Sequence, residues 1–439
     1  MSTSTPLATR ILWGLAIGVV AAVITLGIGQ VFPSVLTTMR AISSAVFDPF
    51  GQIFLRMLFF VVIPLVFASL ASGVAQLGRL EKLGPLAGRT FLLFTANMLI
   101  AVAIGLLMMN LLQPGQHLAA GAQELLMKEY GGSALQAVQA EATRPGMSLS
   151  TVVDMFMPRN LFGAFVGNSR GSLGDVLPLI VFAILVGAAA TQLPEDKRLR
   201  LQAGLDMVSE VMTGIVGFAL RLAPYAVPAM IYSVIVKVGM DILLTLSVFV
   251  VGCAVALALQ LFGTMSLWLR LLAHRSPLAF FRQVRPLLIT AFSTSSSSAS
   301  LPAALATAHD ELKLSPSTAG FVLPLGATMN MSGTALFEGC VVLFVAQAFG
   351  VDLALGQQAV LMLLAVLSAV AVAGIPGGSL PLIAGLLATF GVPPEGIGII
   401  IGVDRILDML RTTVNVGSDI VTATVVDAQV RRQTVAEHG

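Results

Sequence analysis

The chain has 439 residues, 56% of them hydrophobic and only 10% charged, with a mean hydropathy of +0.93. A soluble domain carries roughly 25% charged residues, so this composition cannot cover a water-facing surface of that size and belongs in a bilayer. The net charge of +2, with no basic stripe interleaved with aromatics, argues against nucleic acid as a partner.

The first apolar run follows Arg10 and extends from Ile11 to about Gln30. It is longer than the ~7–15-residue core of a signal peptide and is read as a first membrane helix, retained in the mature protein. Segments able to span ~30 Å of hydrocarbon then recur, giving spans at about 11–31, 45–75, 90–112, 159–191, 204–234, 240–272, 316–349 and 395–428. Two more segments, about 277–309 and 357–391, are apolar but interrupted. The first is broken by the serine run Ser293–Ser300 before Leu301-Pro302, the second by Ala373-Gly374-Ile375-Pro376-Gly377-Gly378-Ser379. Each reads as two half-helices joined by a tip, or else as a kinked packing helix. Irregular backbone at membrane depth survives only where protein or a water-filled cavity satisfies it. Paired interruptions point to a transporter's binding site. The expected fold is all-α and polytopic, with eight transmembrane helices plus two re-entrant helical hairpins.

Basic residues fall on alternate connections: Arg10; Arg79, Lys82 and Arg89; Lys197, Arg198 and Arg200; Arg270, Arg275, Arg282 and Arg285; Arg431 and Arg432. By the positive-inside rule these connections and both termini are cytoplasmic. Arg40 is the lone exception. The first hairpin then opens from the cytoplasm and the second from outside, as two gates on one site. The polar stretch 113–158 reads as an external loop. Cys253 and Cys340 lie in apolar runs and read as buried thiols. His117, His274, His309 and His438 show no ligand spacing, so no structural zinc or iron is expected.

The last span carries the sharpest chemistry. At ~100° per residue, Asp404, Asp408, Arg411, Asn415 and Asp419 share an arc of roughly 80°. Each central charge costs ~2.5–3.5 kcal/mol on the insertion scale, so the face must meet a ligand, an ion or partners. One reading is a structural ion-pair network, Asp408 with Arg411 and Asp404 with Arg405. The other is a binding face: the Arg411 fork matches a carboxylate, Asp408 can hold an ammonium, and Asp419 offers hard oxygen to a cation. In the seventh span, Gly326, Asn330 and Gly333 suggest an unwound helix with free carbonyls, or a glycine-weakened packing helix. Glu338 lies in an apolar run, either as a proton carrier or as a hydrogen-bonded acid. The serines lack a nearby His or Lys base, which argues against hydrolysis; a tip of free amides would instead bind a carboxylate. No Walker-type G-x-x-x-x-G-K-[ST] occurs, which argues against an ATP-driven pump.

At these residues the chain resembles the dicarboxylate/amino acid:cation symporters, the glutamate transporter family. The matching motifs are the serine-rich tip ending Leu301-Pro302, Asn330-Met331-x-Gly333-Thr334, Ala373-Gly374-Ile375-Pro376-Gly377, and the pattern from Asp404 to Asp419. The resemblance covers most of the chain, is strongest after about residue 285 and is weakest in the loop 113–158.

The resemblance implies a homotrimer in the plasma membrane, a bacterial inner membrane, with a scaffold part and a mobile transport part that moves as an elevator. Residues 1–89 and 159–234 would be mainly scaffold; 90–112 and 240–430 would form the transport part. By position Asp408 resembles the amino-group ligand and Arg411 the side-chain carboxylate ligand. Thr334, Thr412 and Asn415 look like further substrate contacts, with Ser297 and the tip from Ile375 to Ser379. Gly326, Asn330, Asn415 and Asp419 look like one sodium site; Thr328 and the carbonyls around Val370 and Val372 look like a second. Sodium ions would be the coupling ions, with no organic cofactor. Glu338 resembles the proton-carrying acid of the animal transporters.

Two departures matter. An acid is usual where this chain has Ser332, and hydroxyl-bearing partners where it has Phe94, Asn97 and Met98, so a third sodium site is not carried over. The animal transporters also place a basic residue at the position of Met409; here Arg405 stands one turn away. The pair Asp408 and Arg411 resembles the glutamate/aspartate pattern. The alternatives are a neutral amino acid or C4-dicarboxylate symporter of the same fold, and an ion channel.

Overall fold

The computed structural model describes residues 7–77, 85–118, 157–166, 176–372 and 377–438, which are helical with no strand. The first helix, α1 (Leu7–Val31), is apolar on all sides and presents Trp13, Ile17 and Ile24 outward, as a lipid-facing helix does. The expected second span is longer than 45–75. It begins at Pro33 as α2 (Pro33–Ile42) and continues through a π turn (Ser43–Phe47) into α3 (Asp48–Phe59) and α4 (Val62–Leu77). The third span is α5 (Pro85–Leu112). The expected span 159–191 falls on a short α6 (Leu161–Val166) and on α7 (Val176–Thr191), with the residues between them outside the described set. Of the 113–158 loop, a single 3-10 turn (Pro114–His117) is described, together with a few residues at either end.

The fifth span grows to α8 (Glu195–Val238), which passes through Pro224 and Pro228. The sixth is α9 (Asp241–Ala258), a π turn (Leu259–Thr264) and α10 (Met265–Leu271). Among the described residues, six stretches are long and apolar enough to cross a membrane. α7 is shorter than such a helix, and the charged stripe of the last span keeps it outside the same criterion.

The first interrupted segment is a helical hairpin. α11 (Pro277–Thr294) ends where Ser295 adopts φ 51°, and α12 (Ser297–Ala306) starts with Ser296 capping the amide of Ala299. The left-handed residue reverses the chain, and the serine cap satisfies an amide that the new helix would otherwise leave open. Ser300 folds back on Thr294 across the turn at 3.1 Å, so part of the serine run holds the tip closed on itself. The seventh span is broken as its glycines suggest. α13 (Pro316–Met329) stops, Asn330 and Met331 leave helical geometry (ψ 58° and 59°), and α14 (Ser332–Ala348) resumes. The second interrupted segment has arms α15 (Leu355–Ala371) and α16 (Leu380–Thr389). Its tip residues 373–376 lie outside the described set; Gly377 beside them takes φ 72°, a conformation that suits glycine. The last helix, α17 (Gly398–His438), runs ten residues beyond the expected end of the span.

Packing places α17 at the centre of the second half. It contacts α13, α14, α11 and α9. α14 is wholly buried between α17 and α5, and Gly105 lets α5 approach closely: a Cβ there would sit 2.8 Å from the Leu336 carbonyl. α1, α3 and α4 pack against α8, and α7 packs on α4. Arg40, the exception to the charge bias, donates to the Val236 carbonyl at 3.1 Å, where the end of α8 leaves carbonyls unpaired. Lys237 and Ser233 close on Asp48 nearby, at 2.5 and 2.6 Å. That cation therefore serves a local clamp between α2 and α8.

Candidate functional site

Three breaks in helical structure converge on the polar face of α17. All five stripe residues, Asp404, Asp408, Arg411, Asn415 and Asp419, are buried, none more than 6% exposed. A small cavity opens beside Asp408, Arg411 and Asn415. Asp408, Arg411, Thr412 and Asn415 form one wall, with Thr334 and Met331 from the broken seventh span. Ser295 and Ser297 of the first hairpin and Val372 and Ser379 of the second close it. Seven of the eight expected substrate residues thus share one cavity. The eighth, Ile375, lies outside the described residues.

Arg411 is gripped from four sides. Its Nε and Nη2 lie 2.8 and 2.7 Å from Asp408 Oδ1, and Nη1 donates to Ser379 Oγ at 2.6 Å. Nη1 is also 3.5 Å from Asp404 Oδ1, an ion pair without a hydrogen bond. The guanidinium carbon sits 4.6 Å from the centre of the Phe337 ring. Asp408 Oδ2 accepts from Arg405 Nη1 at 3.1 Å and from the Gly377 amide at 3.2 Å. Within the structural ion-pair alternative, the pairing of Asp404 with Arg405 is corrected. Adjacent helix residues point about 100° apart and do not face each other. Arg405 therefore reaches Asp408 three residues on, and Asp404 is left to Arg411. Phe337 was not singled out by sequence, whereas Met331 entered only within the Asn330–Thr334 motif and Gly377 only within the Ile375–Ser379 tip. Phe337 precedes Glu338 in a continuous apolar run, where nothing marks it as a cation's bed.

One turn further along α17 lies a second polar cluster. Asn330 Nδ2 donates to Asp419 Oδ1 at 2.8 Å and to Ser418 Oγ at 3.0 Å. Gly326 faces the same carboxylate; a Cβ built there would stand 2.5 Å from Asp419 Oδ1. Gly326, Asn330 and Asp419 therefore pack tightly at the end of α13, where the Gly326 carbonyl still accepts the Asn330 amide at 3.0 Å. The buried Asp419 carboxylate supplies the hard oxygen that a cation would need there. Gly326→Ala drives a methyl into that carboxylate, and sodium-dependent substrate binding should weaken about tenfold, or ~1.4 kcal/mol, on titration with sodium. Asn415 belongs to the substrate wall by its side chain: its Oδ1 accepts the Gly333 amide at 2.8 Å and its Nδ2 donates to Thr334 Oγ1 at 3.0 Å. Its main-chain carbonyl faces Ser418 Oγ at 2.8 Å.

The other expected cation residues are less assembled. Thr328 is exposed, and its hydroxyl donates to the Leu325 carbonyl at 3.0 Å. Val370 is half-buried in α15, and Val372 ends that helix at the cavity wall. Where the family's third cation site is a departure, amides meet instead: Gln260 donates to Asn97 Oδ1 at 2.5 Å, and Asn97 donates to Asn330 Oδ1 at 2.9 Å. Ser332 meets Ser418 at 3.1 Å.

Glu338 is fully buried in α14, and both of its carboxyl oxygens lack a hydrogen-bond partner among the described residues. Ser368 of α15 presents its buried hydroxyl to this carboxyl, outside full hydrogen-bond geometry. An unsatisfied buried carboxyl is costly and is not explained by packing.

The family model described as the sodium:dicarboxylate symporter family matches residues 7–429. The chain is 32% identical over 420 residues to the proton/sodium-glutamate symport protein of Bacillus subtilis, covering 95% of this chain and 91% of that protein. It is 28% identical over 369 residues to the proton/glutamate-aspartate symporter of Escherichia coli, covering 84% and 82%. It is also 28% identical over 414 residues to a C4-dicarboxylate transport protein of Bacillus subtilis, covering 94% and 92%. With one family model spanning almost its whole length, this chain belongs to the sodium:dicarboxylate symporter family.

Proposed function

We propose that the chain is a secondary symporter that imports an acidic amino acid, glutamate or aspartate, coupled to sodium, with protons carrying part of the coupling. The observation that carries this reading is the buried pair of Asp408 and Arg411 at a small cavity walled by both hairpins. An amine needs an acid and a side-chain carboxylate needs a fork of N–H donors; one face of α17 offers both. Relatives named as glutamate and glutamate-aspartate symporters support the substrate class. The cluster at Gly326, Asn330 and Asp419 takes one sodium ion, with the Asn415 carbonyl close by. Thr328, Val370 and Val372 belong to a second, under the outer hairpin, which assembles as that hairpin closes.

The transport part is 90–112 with 240–430, and the scaffold is 1–89 with 159–234. The protein works as a homotrimer in the plasma membrane with both termini cytoplasmic, and each transport part moves as an elevator between lipid and scaffold. A relative named as a C4-dicarboxylate transporter makes that class the second reading. Asp408 argues against it, because a dicarboxylate without an amine brings only negative charge to a site that already holds that acid. Calorimetric binding in sodium separates the two. Aspartate or glutamate should bind at least about 100-fold tighter than succinate, or ~2.7 kcal/mol. Tighter succinate binding would overturn the reading.

Glu338 is the proton carrier in this scheme. It sits one helical turn beyond Thr334 of the cavity wall, in the field of Arg411. Glu338→Gln keeps the shape and removes the titrating group. Substrate binding should survive, while the stimulation of uptake by an inward proton gradient disappears. An unchanged pH profile of uptake would remove protons from the coupling.

A further inference from the structure

Asp408 is crowded with donors. A carboxylate offers about four lone-pair positions; three take hydrogen bonds, from Arg411 Nε at 2.8 Å, Arg405 Nη1 at 3.1 Å and the Gly377 amide at 3.2 Å, and Arg411 Nη2 adds an ion pair at 2.7 Å. Two guanidinium groups thus stand on this carboxylate, and an arriving ammonium is repelled until one of them withdraws.

The donors are not equally held. Arg411 is fixed by Ser379, Asp404 and the Phe337 ring as well as by Asp408, and its side chain is 3% exposed. Arg405 makes one ion pair, its Nε is buried without a partner among the described residues, and its side chain is 14% exposed. It is the loosely held cation of the two, and it can swing away by giving up that one ion pair. Charge is balanced by it as well. Asp404 and Asp408 meet Arg405 and Arg411, so the end of the face from 404 to 411 carries two charges of each sign, with Asp419 two turns beyond. Without Arg405 an uncompensated carboxylate would remain at a site buried in protein and membrane, which is unfavourable.

We infer that Arg405 is the resident counter-cation of Asp408, displaced by the substrate's amino group on loading and returned to Asp408 when the carrier goes back empty. Arg405 is then a positioning residue with two separable effects. It competes with the substrate, and it neutralises the unloaded site during the return step. This rests on the reading above, that an amino acid with an extra carboxylate is the substrate.

Both effects show in proteoliposomes. Exchange of external labelled aspartate for internal aspartate needs only the loaded carrier. Net uptake into aspartate-free vesicles also needs the empty carrier to return. In Arg405→Met the ratio of net uptake to exchange should fall at least about tenfold, while aspartate binds about threefold or more tightly, both being shifts well resolved on the free-energy scale. Arg405→Lys should restore both. Arg405→Gln serves as a second neutral variant if the methionine protein aggregates. An unchanged ratio in a folded neutral variant overturns the inference, and so does weaker binding with the ratio intact. Wild-type protein that neither exchanges nor accumulates any acidic amino acid would instead sink the substrate reading itself, a result visible before any Arg405 variant is made.

Discussion

Arg411→Ala is expected to abolish acidic amino acid binding, with a loss of at least about 100-fold, and to destabilise the protein. Both effects follow from where the guanidinium sits. It donates to Asp408 and Ser379, pairs with Asp404 and lies on the Phe337 ring, all in a buried setting. A hydrogen bond to a charged group contributes about 1.5–3 kcal/mol, so losing a two-bond fork to a substrate carboxylate exceeds 100-fold. Breaking a buried ion pair costs about 3–5 kcal/mol, because it leaves the partner charge uncompensated. Arg405 stays on Asp408 and softens that cost. Neutral amino acids, which do not use the fork, should keep whatever binding they have. Arg411→Lys retains charge without the planar fork and should recover only a part of the affinity. Calorimetry with aspartate and alanine, beside a thermal melt, checks all of this. Aspartate binding of wild-type strength in Arg411→Ala would contradict the assigned role.

Asp419→Asn should raise the sodium concentration for half-maximal substrate binding about 10- to 100-fold. Asp419 is buried, accepts from Asn330 at 2.8 Å and stands against the bare backbone of Gly326. If it served only to accept that hydrogen bond, asparagine would keep an oxygen there and sodium dependence would not move. If it neutralises a cation, removing the charge forfeits an attraction of about 4 kcal/mol at 4 Å and an effective dielectric of 20, an upper bound that desolvation reduces. A sodium titration of aspartate binding distinguishes the two roles, and a curve superimposable on the wild type would dismiss Asp419 as a cation ligand.

Much of this site was legible in the sequence because charge inside a membrane is rare. Asp404, Asp408, Arg411, Asn415 and Asp419 announce a buried face by helical spacing alone, and the structure puts all five on one helix. The glycines and Asn330 marked the break in the seventh span for a related reason: unwound backbone in a bilayer needs polar company. Pairing within the stripe was less legible. Which acid Arg405 takes depends on side-chain direction, and the i,i+3 partner Asp408 won over the adjacent Asp404. Phe337 under Arg411 carried no signal, since one phenylalanine in an apolar run looks like any other. The start of the second span at Pro33 was missed because Arg40 interrupts its apolar pattern; the charge is absorbed by the Val236 carbonyl, a partner distant in sequence. The span at 159–191 looked continuous by hydropathy, yet its described parts are a short helix and α7.

Cation gradients should drive an acidic amino acid through this protein. Reconstituted vesicles with labelled aspartate or glutamate test this, with the sodium and proton gradients imposed one at a time. Accumulation above equilibrium is expected under an inward sodium gradient, increased by external acid and collapsed by a sodium ionophore. Solute that merely equilibrates under every gradient, or succinate accumulating while both amino acids are refused, would contradict it.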